Sequence, residues 1–259
     1  MKALHFARPF EYRLDIPQDR ITQGSLVRGT LTVVNRDSVA RTGLRLALAL
    51  AQGGFGEIKA KGVEGLDVIE KHPLAEDFAL APGAERTEPW SVTLRQDCWA
   101  TGKDGGMFLI YGGNLEAAAE RGFIDVPVGL APPIETFIQT VENHFAFEAR
   151  SRKHSGGYAQ VRFKPPAKYP TLEEFSAALR IGEDGLSLRF ACKTKGLARG
   201  KDTGIRTRKL EAERHLAAGE YLTAAGLPNR DLYRRVIHEV LEEMTPGALY
   251  TATGAPGGA

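Results

Sequence analysis

Leu44, Leu46, Leu48 and Leu50 recur at every second position, with Arg45, Ala47 and Ala49 between them. On a helix, residues two apart point to nearly opposite sides, so this ladder has one apolar face only as an extended strand. Upstream, Leu26 to Val34 reads as a second strand, joined to the ladder by the polar link Asn35-Arg36-Asp37-Ser38. Half-apolar strands bounded by Gly, Asn, Asp and Ser imply antiparallel sheet, and such sheets bury their apolar face against another layer. The architecture this predicts is mainly β, with the leucines in a core.

The same reading extends along the chain. Phe10, Tyr12, Leu14 and Ile16 alternate with polar residues and predict a first strand over 10–20, closed by Pro17. Gly53-Gly54-Phe55-Gly56 reads as a turn between strands, and Val63, Leu66, Val68 and Ile69 as a strand with an exposed edge. Leu80-Ala81-Pro82-Gly83 is a Pro-Gly turn leading into the alternating strand Trp90, Val92, Leu94. Strands at Phe108 to Tyr111 and Phe123 to Val128 complete this half. Asp125 to Pro133 holds three prolines, which stiffen the chain and suit an edge or a linker.

The expected division is therefore 1–130, a first sandwich, and 131–226, a second. Ile134 to Val141 reads as a short helix or a turn. Phe145 and Phe147 with Tyr158, Val161 and Phe163 predict a hairpin closed by Ser155-Gly156-Gly157, and Asp184-Gly185 closes another. Residues 205–224 fit a polar strand or a helix. Over 227–244 the period changes: Leu232, Val236, Ile237, Val240, Leu241 and Met244 form a helical stripe that Asn229 can cap. Residues 245–259, rich in Gly, Ala, Pro and Thr, read as a flexible tail.

With 259 residues and 42% hydrophobic content, the chain can fill two ordinary cores. The net charge of +2 is split unevenly: residues 1–130 carry 15 Lys/Arg against 17 Asp/Glu, and 131–259 carry 19 against 15. A nucleic-acid partner is not expected, since dedicated binders have a domain pI above about 9. The first eight residues lack a signal-peptide core, and the longest apolar run, Leu46 to Ala51, is far too short for a bilayer. The two cysteines, Cys98 and Cys192, lie 94 residues apart and read as reduced thiols of a cytoplasmic chain.

Catalytic signatures are weak. Thr101-Gly102-Lys103-Asp104 resembles the end of a phosphate-binding loop, but Asp97 and Asp104 occupy the positions of its first glycine and its hydroxyl, so it reads as a plain loop. The six histidines show no ligand spacing, and no nucleophile elbow or paired-carboxylate motif is present. Neither an enzyme, a metal nor a cofactor is expected. What stands out is basic charge in the second half: Arg150, Arg152 and Lys153, then Lys193, Lys195, Arg199, Lys201, Arg206 and Arg208. These are the candidate residues for an acidic or anionic partner; the alternative is a solvated face. The helical stripe over 227–244 packs on the second domain or docks a neighbouring copy in a homo-oligomer.

The segment Gln23-Gly24-Ser25-Leu26-Val27-Arg28-Gly29-Thr30-Leu31-Thr32-Val33, followed by the leucine ladder, resembles the second and third strands of arrestin-like N-terminal domains, with their G-x-x-V-x-G-x-(V/L) pattern. Leu80-Ala81-Pro82-Gly83-Ala84-Glu85 with Trp90 to Leu94 is similar to the segment that follows in that fold. Val161 to Pro165, Leu172 to Phe175 and Leu186 to Leu197 are similar to the second domain of the sporulation-control protein family, the bacterial branch. The resemblance implies two antiparallel, immunoglobulin-like β-sandwiches and a cytoplasmic, non-catalytic adaptor or scaffold that regulates differentiation or stress responses by binding proteins. A binding module for an anionic polymer or membrane surface, using the basic second domain, is the alternative.

Overall fold

The computed structural model describes residues 1–197 and 205–245, and the chain divides into two compact units, Met1–Gly129 and Leu130 onward. The first unit stacks two four-stranded antiparallel sheets. One joins β1 (Lys2–Ala7), β2 (Phe10–Asp15), β4 (Leu26–Asn35) and β7 (Glu85–Thr93) in the order β1-β2-β4-β7. The other joins β5 (Arg41–Gly54), β6 (Asp67–Leu80), β8 (Gly105–Gly112) and β9 (Arg121–Val126) in the order β6-β5-β8-β9. A short parallel pair, β3 (Ile21–Thr22) with β10 (Val128–Gly129), completes it.

The leucine ladder behaves as its period demands. Leu46, Leu48 and Leu50 are buried between the sheets with Leu14, Leu31, Met107 and Tyr111, while Leu44 is partly buried at one end. The intervening Ala49 and Ala51 are buried as well, because the outer face of β5 and β8 is also covered. Its cover is a helix, α1 (Phe55–Lys61), continued by a 3-10 turn over Gly62–Gly65. This corrects the expectation of a plain turn at Gly53–Gly56 and of strand at Val63 and Leu66, while Val68 and Ile69 do lie in a strand, β6. Phe55 meets Phe108 edge-on at 6.1 Å, and Ile58, Val63 and Leu66 pack on the same small core, so tertiary burial stabilises a helix with a weak local pattern. A second correction concerns the start. Lys2–Ala7 forms a strand paired along its whole length with β2, ahead of the strand expected to be first.

Among the described residues, the second unit holds a single five-stranded antiparallel sheet in sequence order: β11 (Glu148–Ser155), β12 (Tyr158–Lys164), β13 (Leu172–Ile181), β14 (Leu186–Leu197) and β15 (Ile205–Leu216). Two helices cover one face of it. α2 (Pro132–Phe145) begins on the prolines expected to form a linker; proline is tolerated in a first helical turn, where its missing N–H has no partner to lose. After a single turn, α3 (Ala218–Tyr221), α4 (Arg230–Met244) is capped by Asn229, whose side chain accepts from the Leu232 N–H at 3.2 Å.

Where a second sheet was expected to close this sandwich, the two helices do so. Phe137 of α2 lies 5.4 Å from the Tyr233 ring of α4 and 6.0 Å from Phe190 of β14. Phe147, Phe163 and Phe175 continue the aromatic core. The α4 stripe is thus spent within its own unit, which removes it as a docking surface for a neighbouring copy. Thr245 belongs to this helix end: it is buried and its hydroxyl donates to the Leu241 carbonyl. The rest of the expected tail, residues 246–259, lies outside the described residues.

Candidate functional site

Among the described residues helices cover only one face of the second sheet, so every second residue of its strands faces the other way, onto a face that no described element covers. On β13 the alternation sends Phe175, Ala177 and Leu179 to the core and Ser176, Ala178 and Arg180 outward. On β14 it sends Leu188, Phe190 and Cys192 inward and Ser187, Arg189, Ala191, Lys193 and Lys195 outward. Registers then place Arg162, Ser176, Ala191 and Glu211 in one row across four strands, and Lys153, Gln160, Ala178, Arg189 and Glu213 in the next.

The result is a depression of about 350 Å³ with a floor of Ser176, Ala178 and Ala191. Lys153 and Arg162 stand on one flank and Glu211 and Glu213 on the other. Among the described residues, eight cations (Lys153, Arg162, Lys164, Arg180, Arg189, Lys193, Lys195 and Lys209) share this face with five carboxylates, Glu148, Glu173, Glu174, Glu211 and Glu213.

The charges differ in what already neutralises them. Lys193 pairs with Glu174 at 3.2 Å and Arg189 with Glu213 at 3.0 Å, while Arg162 approaches Glu174 only at 3.9 Å. Lys153, Lys164, Arg180 and Lys209 make no ion pair among the described residues. The guanidinium groups of Arg180 and Arg189 each lie 4.8 Å from the centre of the Tyr158 ring, which holds two like charges against one aromatic surface.

The candidate cations from the sequence fall into separate places. Lys153 lies on the open face. Arg152, one residue earlier, points to the helix side and pairs with Glu135 at 3.2 Å and Glu142 at 3.6 Å. Arg150 sits at a bulge of β11 and pairs with Glu148 at 3.0 Å. Lys195 pairs with Glu173 at 2.6 Å. Arg208 lies in β15 opposite Thr194, exposed and without an ion pair among the described residues. Arg199 and Lys201 lie outside the described residues, as does the side chain of Arg206. Arg180 and Arg189 belong with the open face and were missed; the alternation Ser176, Ala178, Arg180 and Arg189, Ala191, Lys193 between apolar neighbours was the signal for them.

Ser187, His215 and Asp184 lie in line beside this face. Ser187 Oγ is 3.5 Å from His215 Nδ1, and the Asp184 carboxylate is 3.9 Å from Nε2 and 82% exposed. His215 Nε2 also lies 3.2 Å from the Asp184 carbonyl oxygen, but the Ser187 contact at 3.5 Å is at the limit of a hydrogen bond and the carboxylate is exposed, so serine and ring are at most weakly coupled. Among the described residues, no group of three or more His, Cys, Asp or Glu is placed to hold a metal ion. Burial pushes the Cys98 thiol up to about 12 and raises that of Cys192, so neither is a ready nucleophile near neutral pH. No helix among the described residues is long and apolar enough to cross a membrane.

The first unit exposes a different kind of surface. β1 is the end strand of its sheet, and no strand pairs with its far edge among the described residues. Leu4 and Phe6, on its outward face, are 55% and 62% exposed. Beside Phe6 stands Glu11, held by Arg13 at 2.6 Å and Arg36 at 2.7 Å; the Arg13 hydrogen bond is the main cause that keeps its carboxyl below the usual range.

This order of elements, stacked antiparallel sheets followed by a five-stranded sheet with helices on one face, has a counterpart among solved structures. The chain shares this fold with the crystal structure of Spo0M, a sporulation control protein from Bacillus subtilis: the two are 17% identical, with 91% of this chain and 98% of that one covered at a TM-score of 0.63. A β-glucosidase mutant from Listeria innocua (17% identity, 46% of this chain and 16% of that chain, TM-score 0.29) and the alkylpurine DNA glycosylase AlkC from Pseudomonas fluorescens (16%, 50% and 30%, 0.28) match only partially. No protein-family model and no curated protein sequence matches the chain.

Proposed function

We propose that this protein is a non-catalytic, arrestin-like adaptor that works by holding other proteins, in a regulatory role of the sporulation-control kind for which Spo0M is named. The observation that carries the reading is the outer edge of β1. A strand with an unpaired edge and two large apolar side chains in solvent is a template for strand addition, and soluble proteins ordinarily blunt such edges with charge or proline. Two buried, unpaired thiols in different units support a reducing compartment, and the cytoplasm is the proposed location.

Affinity capture from the native host, with the full chain and with a Leu4→Lys, Phe6→Lys variant, tests it. The expected result is a defined partner set that the variant loses while its melting temperature is unchanged. Enrichment of nothing above background, or full retention by the variant, refutes it. Binding to an anionic polymer or membrane is the second reading. It rests on the cations of the second unit that lack ion pairs, and it is weakened because Arg150, Arg152, Lys193 and Lys195 already have carboxylate partners.

A further inference from the structure

The open face of the second sheet combines three properties. Its floor is short: Ser176, Ala178 and Ala191 occupy the middle strands, where a solvated sheet ordinarily carries long polar side chains. Its flanks are long and charged with opposite signs. Its net charge is positive; on the β11–β12 flank Lys153 makes no ion pair among the described residues and Arg162 has only the 3.9 Å approach to Glu174. We infer that this face docks an acidic segment of a partner protein, laid along β13 with carboxylates toward Lys153 and Arg162 and a basic residue toward Glu211.

The dimensions fit. Arg162 and Glu211 stand three strand spacings apart in one row, roughly 14 Å, which admits an extended segment or a helix of about 10 Å diameter. Ser176, Ala178 and Ala191 let the backbone of the occupant approach the sheet closely over the stretch between Glu174 and Lys193 at one end and Arg180 and Arg189 at the other, so charges reach it there from the flanks and from both ends. The sign pattern selects the kind of occupant. A uniform polyanion lying in the groove runs against Glu211, which makes no ion pair among the described residues, while Glu213 is already held by Arg189; a peptide of mixed charge satisfies both flanks. Complementarity of this sort sets register and rejects wrong partners more than it adds raw affinity.

This inference rests on the adaptor reading but uses a different unit, so the two fail separately: loss of capture through β1 leaves peptide binding at this face untouched, and the reverse also holds. The test is fluorescence anisotropy with the full chain and a labelled glutamate-rich peptide carrying interspersed lysines, at low and at physiological ionic strength. Poly(U) RNA and phosphatidylserine vesicles serve as competing probes.

The expected result is peptide binding that weakens about tenfold in a Lys153→Glu, Arg162→Glu variant, the scale of several exposed ion pairs lost together. Ala178→Trp, which fills the floor and changes no charge, weakens it as well. Glu211→Lys also weakens the peptide, by removing the partner of its lysines. The positions are on the open face, so melting temperatures should stay within a few degrees, and a variant that melts normally yet fails to bind supports the inference. Unchanged peptide binding in both the charge-reversal and Ala178→Trp variants overturns it. So does tighter binding of RNA or vesicles than of peptide, strengthened by Glu211→Lys, which assigns the face to a polyanion instead.

Discussion

Ending the chain after Leu227 removes α4 and should unfold the second unit while the first keeps its structure. The magnitude follows from the buried face of the helix. Leu232, Tyr233, Val236, Ile237, Val240, Leu241 and Met244 are all buried. At about 1.5–3 kcal/mol for each large side chain, their burial contributes on the order of 10–20 kcal/mol, an upper estimate because an unfolded chain already buries some of this area. A whole domain is stable by only about 5–15 kcal/mol, so the loss exceeds what the five-stranded sheet and α2 can sustain. Hydrogen exchange by mass spectrometry is the assay. Amides of β12 to β14, protected in the full chain, should exchange at unfolded rates in the truncated one, while those of β4, β5 and β8 remain protected. Native-like protection in β12 to β14 after truncation would refute the view that helices, rather than a second sheet, complete this core.

Gly29→Ala should destabilise the first unit by about 1–3 kcal/mol, read as a lower urea midpoint, because a Cβ there lies 2.4 Å from the Asp15 carbonyl and 2.6 Å from the Trp90 ring. Asn35→Ala should cost about 1–3 kcal/mol in the same assay: the buried amide nitrogen shares its two hydrogens among the carbonyls of Leu80, Val39 and Ala81, and the substitution leaves the buried Leu80 carbonyl unpaired. Glu11→Gln should flatten the acid limb of the stability curve. Its carboxyl is held below its ordinary value of 4.5, so its contribution is fully present above that pH and is lost as pH falls through the lowered value. The wild type and the variant should therefore differ at pH 6–7, by the direction of that shift, and converge in strong acid; parallel curves across this range would show that Arg13 and Arg36 do not hold the carboxylate.

What was legible follows from period. The leucine ladder, the Pro82-Gly83 turn with its Gly83 at positive φ, the Asp184-Gly185 hairpin and the Asn229-capped helix each repeat a local rule strongly enough to be read in one dimension. The misses are places where a distant surface outweighed a weak local signal. α1 has few helical markers and forms over Phe108 and Ile110, residues some fifty positions away. β1 has an ordinary alternation over only six residues, and its place in the sheet comes from pairing with β2 along its whole length. At Pro132 and Pro133 the stiffness was recognised and its use was not, since a proline pair fits a first helical turn as well as a linker.

The candidate site divides along the same line. Basic residues of the second half were visible as runs, but a run does not say which side of a strand each residue takes. Arg152 and Lys153 are adjacent in sequence, and one pairs with the helix carboxylates while the other reaches the open face. Arg180 and Arg189 join Lys153 only because β13 and β14 are laid beside β12 in register.

By itself, then, the sequence determined that strands of period two would bury one face and that an amphipathic helix would follow them. Only the tertiary structure decided that helices cover the second sheet, which leaves its other face open and charged. Local pattern states which residues must leave water. It does not state which surface receives them, because that depends on every other apolar face the chain presents at once.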